Sequence, residues 1–172
     1  MSSIVVSGDT SGAVTLSAPI FAQTPNVGAL NALLSTAMTN TKAFDGTETA
    51  GTAMVLVYTA GANGSRIDQV TCRFASTNGA TASGTSSASL IRFWINNGSA
   101  NTTASNNIFL GEVAMAATAV TALGTSALTV STLSLPTGGL NLPASYRIYA
   151  GSTVAAGGTA IAFAVNAIGG DY

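Results

Sequence analysis

The spacing of apolar residues changes period once along the chain. Over 24–38 they fall at Val27, Leu30, Leu33, Leu34, Ala37 and Met38, the spacing of one helical face. Thr24 is a good N-cap, and Pro25 stands where the first helical residue would be. This stretch predicts one short amphipathic helix that ends near Thr39-Asn-Thr41.

From Ala53 onward the pattern is β. Met54 to Tyr58 is a compact apolar run. Arg66 to Ser76 follows, with Val70, Cys72 and Phe74 on one face and Ile67 out of phase. One extra residue near Asp68–Gln69, a β-bulge, would bring Ile67 back to that face. In Leu90 to Asn96, Ile91, Phe93 and Ile95 point one way and Leu90, Arg92 and Trp94 the other. Further strands are expected over Ile108–Met115, Ala127–Leu135, Tyr146–Ala150 and Ile161–Ala167. Asp45-Gly46, Asn63-Gly64, Asn78-Gly79 and Asn97-Gly98 supply the positive φ that tight turns need. Two Ser/Thr/Ala/Gly-rich loops, 78–87 and 98–107, are long for hairpins and are expected to be mobile or ordered only by a neighbour.

Regular strands with turn signals between them predict an all-β protein, an antiparallel β-sandwich of jelly-roll-like form. Ahead of it, Ile4, Val5, Val6, Val14 and Leu16 form two short apolar pieces divided by Ser7-Gly-Asp-Thr-Ser-Gly12. These read as an extended arm whose five apolar residues form an interface with another chain, by adding a strand to its sheet edge. The expected organisation is an N-terminal arm and short helix over 1–47 and a β-sandwich body over 48–172.

Composition sharpens this picture. Of 172 residues, 47% are apolar and 6% are charged, against about 25% charged in an ordinary domain. A surface of Ser, Thr, Asn, Gly and Ala with net charge near zero favours association. A homo-oligomer, a trimer, is expected. The basic residues Lys42, Arg66, Arg73, Arg92 and Arg147 are scattered, so neither nucleic acid nor an anionic membrane is an expected partner. The stretch from Val113 to Val130 is too rich in threonine, with Gly124 and Ser126, for a membrane span. No signal peptide is read at the N-terminus.

The chain has no histidine. That removes Ser-His-Asp and Cys-His catalysis and the common zinc sites. Asp45 and Glu48 read as a turn into the first core strand rather than half of a calcium site. No enzyme activity, catalytic residue, cofactor or metal is expected. Cys72, the one cysteine, reads as a buried, inert thiol. Trp94, in mid-strand, reads as core or interface rather than a sugar-stacking platform.

Several stretches carry a family resemblance. Ser7-Gly-Asp-Thr-Ser-Gly-Ala-Val-Thr-Leu16 resembles the N-termini of many tailed-bacteriophage tail and virion proteins. Tyr58-Thr-Ala-Gly-Ala-Asn-Gly-Ser-Arg-Ile67, Ile91-Arg-Phe-Trp-Ile-Asn-Asn-Gly98, Leu142-Pro-Ala-Ser-Tyr-Arg-Ile-Tyr149 and Ala167-Ile-Gly-Gly-Asp-Tyr172 together resemble a family of small phage virion proteins. The resemblance spans roughly 45–172. It implies a non-enzymatic β-sandwich structural subunit, made in the host cytoplasm and located in the virion. Capsid decoration (cement) on the outer head shell, against the major capsid protein or other virion proteins, is the first expectation. A tail- or fibre-associated protein that contacts the host surface is the second, and a secreted carbohydrate-binding module is the third. The family supplies no catalytic residues.

Overall fold

The fold was analysed in a computed structural model that describes residues 24–28, 32–38, 54–76, 84–101, 103–120 and 130–172. In chain order the strands are β1 (Thr24–Val27), β2 (Leu33–Leu34), β3 (Met54–Thr59), β4 (Ser65–Ser76), β5 (Gly84–Thr85), β6 (Ser89–Asn96), β7 (Asn107–Met115), β8 (Ala119–Val120), β9 (Ser131–Thr132), β10 (Leu140–Leu142), β11 (Arg147–Ser152) and β12 (Ile161–Asp171). The helical content among the described residues is one short 3₁₀ turn, Ala104–Asn106.

Two antiparallel sheets face each other. In the first, β12 and β4 are the central pair. β1 and β2 follow one another along the outer edge of β12, and β10 and β9 along the outer edge of β4. The second sheet runs β3-β11-β6-β7. With β1–β2 and β9–β10 each taken as one interrupted strand, the order is 1-8-3-6 over 2-7-4-5. This is the strand order of a jelly roll, so the expected all-β sandwich is the observed architecture.

The core between the sheets is built by period-two alternation. Ile161, Phe163, Val165 and Ala167 of β12 meet Val70, Cys72 and Phe74 of β4, and Ile91, Phe93, Ile148 and Ala150 of the second sheet close over them. Phe74 and Phe163 stack with ring centroids 5.1 Å apart. Ile67 joins this core through the expected bulge. Ile168 pairs with Gln69 and Gly169 with Ile67, which leaves Asp68 as the extra residue. A second, smaller cluster of Met38, Met54, Trp94 and Tyr149 covers the outer face of the second sheet.

The expected helix over 24–38 does not form. Thr24–Val27 and Leu33–Leu34 are strands on the edge of β12. The physical reason lies in the partner. An eleven-residue strand with a free edge offers backbone hydrogen bonds that outweigh a weak local preference, already lowered by Asn26, Gly28 and Asn31. Gly28 donates to the Ala167 carbonyl at 2.7 Å. A Cβ there would lie 2.2 Å from the Val57 carbonyl oxygen. Pro25 is tolerated because β1 is an edge strand. Thr24–Val27 and Leu33–Leu34, expected within the arm and helix, pair with β12 in the first sheet.

The 98–107 loop, expected to depend on a neighbour, is held by its own asparagines. The Asn96 amide donates to the Asn107 side chain at 2.9 Å and the Asn97 amide to that of Asn106 at 3.2 Å. Asn106 and Asn107 also donate to the carbonyls of Ala100, Asn101 and Thr103. Gly64 and Gly98 take the positive φ expected of them, +93° and +88°. Asp45-Gly46 and Asn78-Gly79 lie outside the described residues.

Candidate functional site

The sandwich has two unlike ends. One carries the 60–64 turn, the 97–106 loop, the 143–146 turn, the start of β1 and Tyr172. The other carries Ser76, β5, Met115, β8 and the connection between β11 and β12.

The four stretches of 58–67, 91–98, 142–149 and 167–172 converge on the first end. Polar groups of 58–67 and 167–172 face one another. Asp171 accepts hydrogen bonds from the Tyr58 hydroxyl at 3.2 Å and from the Ser65 hydroxyl. The Gly61 amide donates to the Ser65 oxygen at 2.9 Å. Tyr172 donates from its backbone to the Gly64 carbonyl and from its hydroxyl to Asn141. These residues therefore lock the last strand to the turns around it.

Chemistry elsewhere is equally sparse. Among the described residues no three His, Cys, Asp or Glu side chains come together to hold a metal, and no helix is long and apolar enough to cross a membrane. Cys72 is buried, and desolvation pushes its thiol up to about 12. Asp45 and Glu48 lie outside the described residues. Among the described residues, an exposed ion pair, Arg66–Asp68 at 2.8 Å, and a partly exposed one, Arg92–Glu112 at 3.1 Å, contribute little.

The surface features that remain are apolar. β7 closes one edge of the second sheet and, among the described residues, pairs with β6 alone. Ile108 is 70% exposed and Phe109 54% exposed. They are consecutive strand residues, so one lies on each face of the edge. On the outer face, register places Phe109, Trp94, Tyr149 and Leu56 in one row across all four strands. Trp94 and Phe109 meet edge-on, with centroids 6.1 Å apart and planes at 67°. Trp94 itself is 2% exposed, so its ring offers no open face for a sugar. The apolar row has buried centre residues and exposed ends, Phe109 and, at 38%, Leu56.

On the outer face of the first sheet, a groove of about 260 Å³ is lined by Thr71, Arg73, Val130, Asn166 and Ile168 among others. Arg73 is the one charged group in it.

The interface residues read from the sequence, Ile4, Val5, Val6, Val14 and Leu16, lie outside the described residues. Ile108 and Phe109 were not singled out by sequence. The signal was present in the run Ile108-Phe109-Leu110, because three consecutive apolar residues in a strand cannot all face one core. Searches against family models, curated proteins and solved structures gave no match for this chain.

Proposed function

We propose that this chain is a non-enzymatic structural subunit of a tailed-bacteriophage virion, a capsid decoration (cement) protein that binds the outer surface of the head shell as a homotrimer. The observation that carries the reading is the combination of a nearly chargeless chain with exposed apolar side chains on β7, an edge strand that pairs with β6 alone among the described residues. A surface with little self-repulsion and exposed β edges associates readily. The resemblance of four stretches to small virion proteins supplies the virion context. The body that those stretches lock together supports a rigid structural role.

The test is copy number in purified particles, measured by quantitative mass spectrometry with antibody labelling by electron microscopy. Many copies spread over the head support decoration. A few copies at the tail would replace this reading with the tail-associated one. Absence from particles, with binding to a polysaccharide, would replace both with a secreted binding module.

A further inference from the structure

We propose that the exposed edge of β7, at Ile108 and Phe109, is the acceptor for the N-terminal segment of a neighbouring copy of this chain, residues 1–23. The inference rests on the oligomeric reading above and names where one subunit grips the next.

The acceptor is defined by the backbone and by two side chains. β7 is a nine-residue edge strand, and its outward N–H and C=O groups have no partner among the described residues. Natural proteins usually protect such an edge with charge, proline or a bulge turned outward. Here β7 carries one bulge, at Leu110 between Phe109 and Gly111, but the half that begins at Asn107 has neither charge nor proline, and Glu112 in the other half is engaged by Arg92. An added strand between Ile108 on one face and Phe109 on the other would cover both. A strand taken up in this way gains main-chain hydrogen bonds along its length and side-chain contacts at alternate positions.

The donor is defined by sequence and by where it joins the body. Ile4-Val-Val6 and Val14-Thr-Leu16 are short β-branched or alternating pieces, with Asp9 as the sole charge of residues 1–23. The segment enters the fold at Thr24, opposite Asp171. That point is at the same end of the sandwich as Asn107 and Ile108, because Thr59, Arg147, Asn96 and Asn107 are register partners there.

The two flanks decide between self and neighbour. β2 lies beside β3, Gly28 at the end of β1 lies against Val57 of β3, and β9 lies beside β7, so donor and acceptor occupy opposite flanks of one sandwich. A segment leaving one flank and docking on the opposite flank of the next copy makes a head-to-tail contact. Repeated around an axis, that contact closes a ring.

Mixed cross-linking of full-length protein tests this. One variant carries Val5→Cys and the other Ile108→Cys, and the two are co-expressed and treated with a short bismaleimide. Cys72, buried in the core, stays out of reach. The expected result is a covalent product joining the two different variants. Self-linkage of the Ile108→Cys variant alone would show edge-to-edge pairing of β7 and overturn the proposal. So would a Val5→Cys/Ile108→Cys double variant that links only within one chain, or the absence of any product. Particle labelling is read separately. Head decoration without the mixed product sinks this inference alone, and the mixed product without head binding sinks the decoration reading alone.

Discussion

Gly169 sits against the backbone of Arg66 so closely that a Cβ on it would lie 2.0 Å from the Arg66 carbonyl oxygen. This contact is at the bulge where Asp68 drops out of the β4–β12 ladder. Only a residue without a side chain fits there without moving one of the two central strands. Gly169→Ala should therefore destabilise by about 1–3 kcal/mol or more, the range for forced overpacking. Denaturant melting with unchanged slope checks it. Gly138→Ala is the contrast, since space there is open and the cost is only that of its positive φ.

Phe163 and Phe109 separate core from surface. Phe163 is fully buried against Phe74, and Phe163→Ala should cost about 3–5 kcal/mol. Phe109→Ala removes a half-exposed ring on an edge strand and should change monomer stability by no more than about 1 kcal/mol. Chemical denaturation measures both.

The Tyr58 hydroxyl ties the core of the second sheet to Asp171 at the end of the first. Tyr58→Phe removes a donor to a charged acceptor, and the expected loss is about 1.5–3 kcal/mol. Amide exchange should quicken most at Gly170 and Asp171, the last residues of β12. Uniform quickening across the sheet would contradict a local lock.

Cys72 makes stability depend on alkaline pH. Burial pushes its thiol up from the ordinary cysteine value of 9.0 to about 12. The folded state favours the neutral thiol, so its contribution is fully present below pH 9 and is lost as pH rises towards 12. The loss is on the order of a few kcal/mol, at roughly 1.4 kcal/mol per pKa unit. Cys72→Ala should flatten this part of the pH–stability curve, after a constant offset for the lost sulfur. A thiol reagent at pH 8 should leave the folded protein unmodified.

Arg92 and Glu112 bridge β6 and β7 on a partly exposed face. A double-mutant cycle through Arg92→Ala and Glu112→Ala should give a coupling of at most about 1 kcal/mol, shrinking as salt is added. A larger, salt-insensitive coupling would show that the pair is shielded in the assembled protein.

The strands at Met54–Thr59, Ser65–Ser76, Ser89–Asn96, Asn107–Met115, Arg147–Ser152 and Ile161–Ala167 were legible because alternation follows from the pleat, and a sandwich core rewards every inward position in the same way, whereas of the strand expected over Ala127–Leu135 only Ser131–Thr132 is strand among the described residues. The bulge near Asp68 was legible for that reason too. Ile67 is out of step with Val70, Cys72 and Phe74, and one extra residue restores the phase. β10 and the extension of β12 through Gly169 and Gly170 were less legible, since short or glycine-rich strands have little pattern. They are held by the neighbour's backbone, not by their own side chains.

Composition and periodicity by themselves determined an all-β chain, an inert core thiol, a tryptophan kept from solvent and turns at Gly64 and Gly98. Each follows from a local rule: alternation, burial of apolar groups, or the φ that glycine permits. Tertiary structure alone decided that 24–38 is strand. The apolar spacing of Val27, Leu33, Leu34 and Met38 suits a helix considered in isolation, and only the presence of β12 alongside changes which hydrogen bonds are available. It alone decided which residues meet at Asp171, a carboxylate 113 positions from Tyr58 along the chain. It also decided which apolar residues remain exposed. Ile108 and Phe109 resemble core residues in sequence, and they stay exposed on the two faces of β7 because, among the described residues, no further strand pairs beside it to cover them.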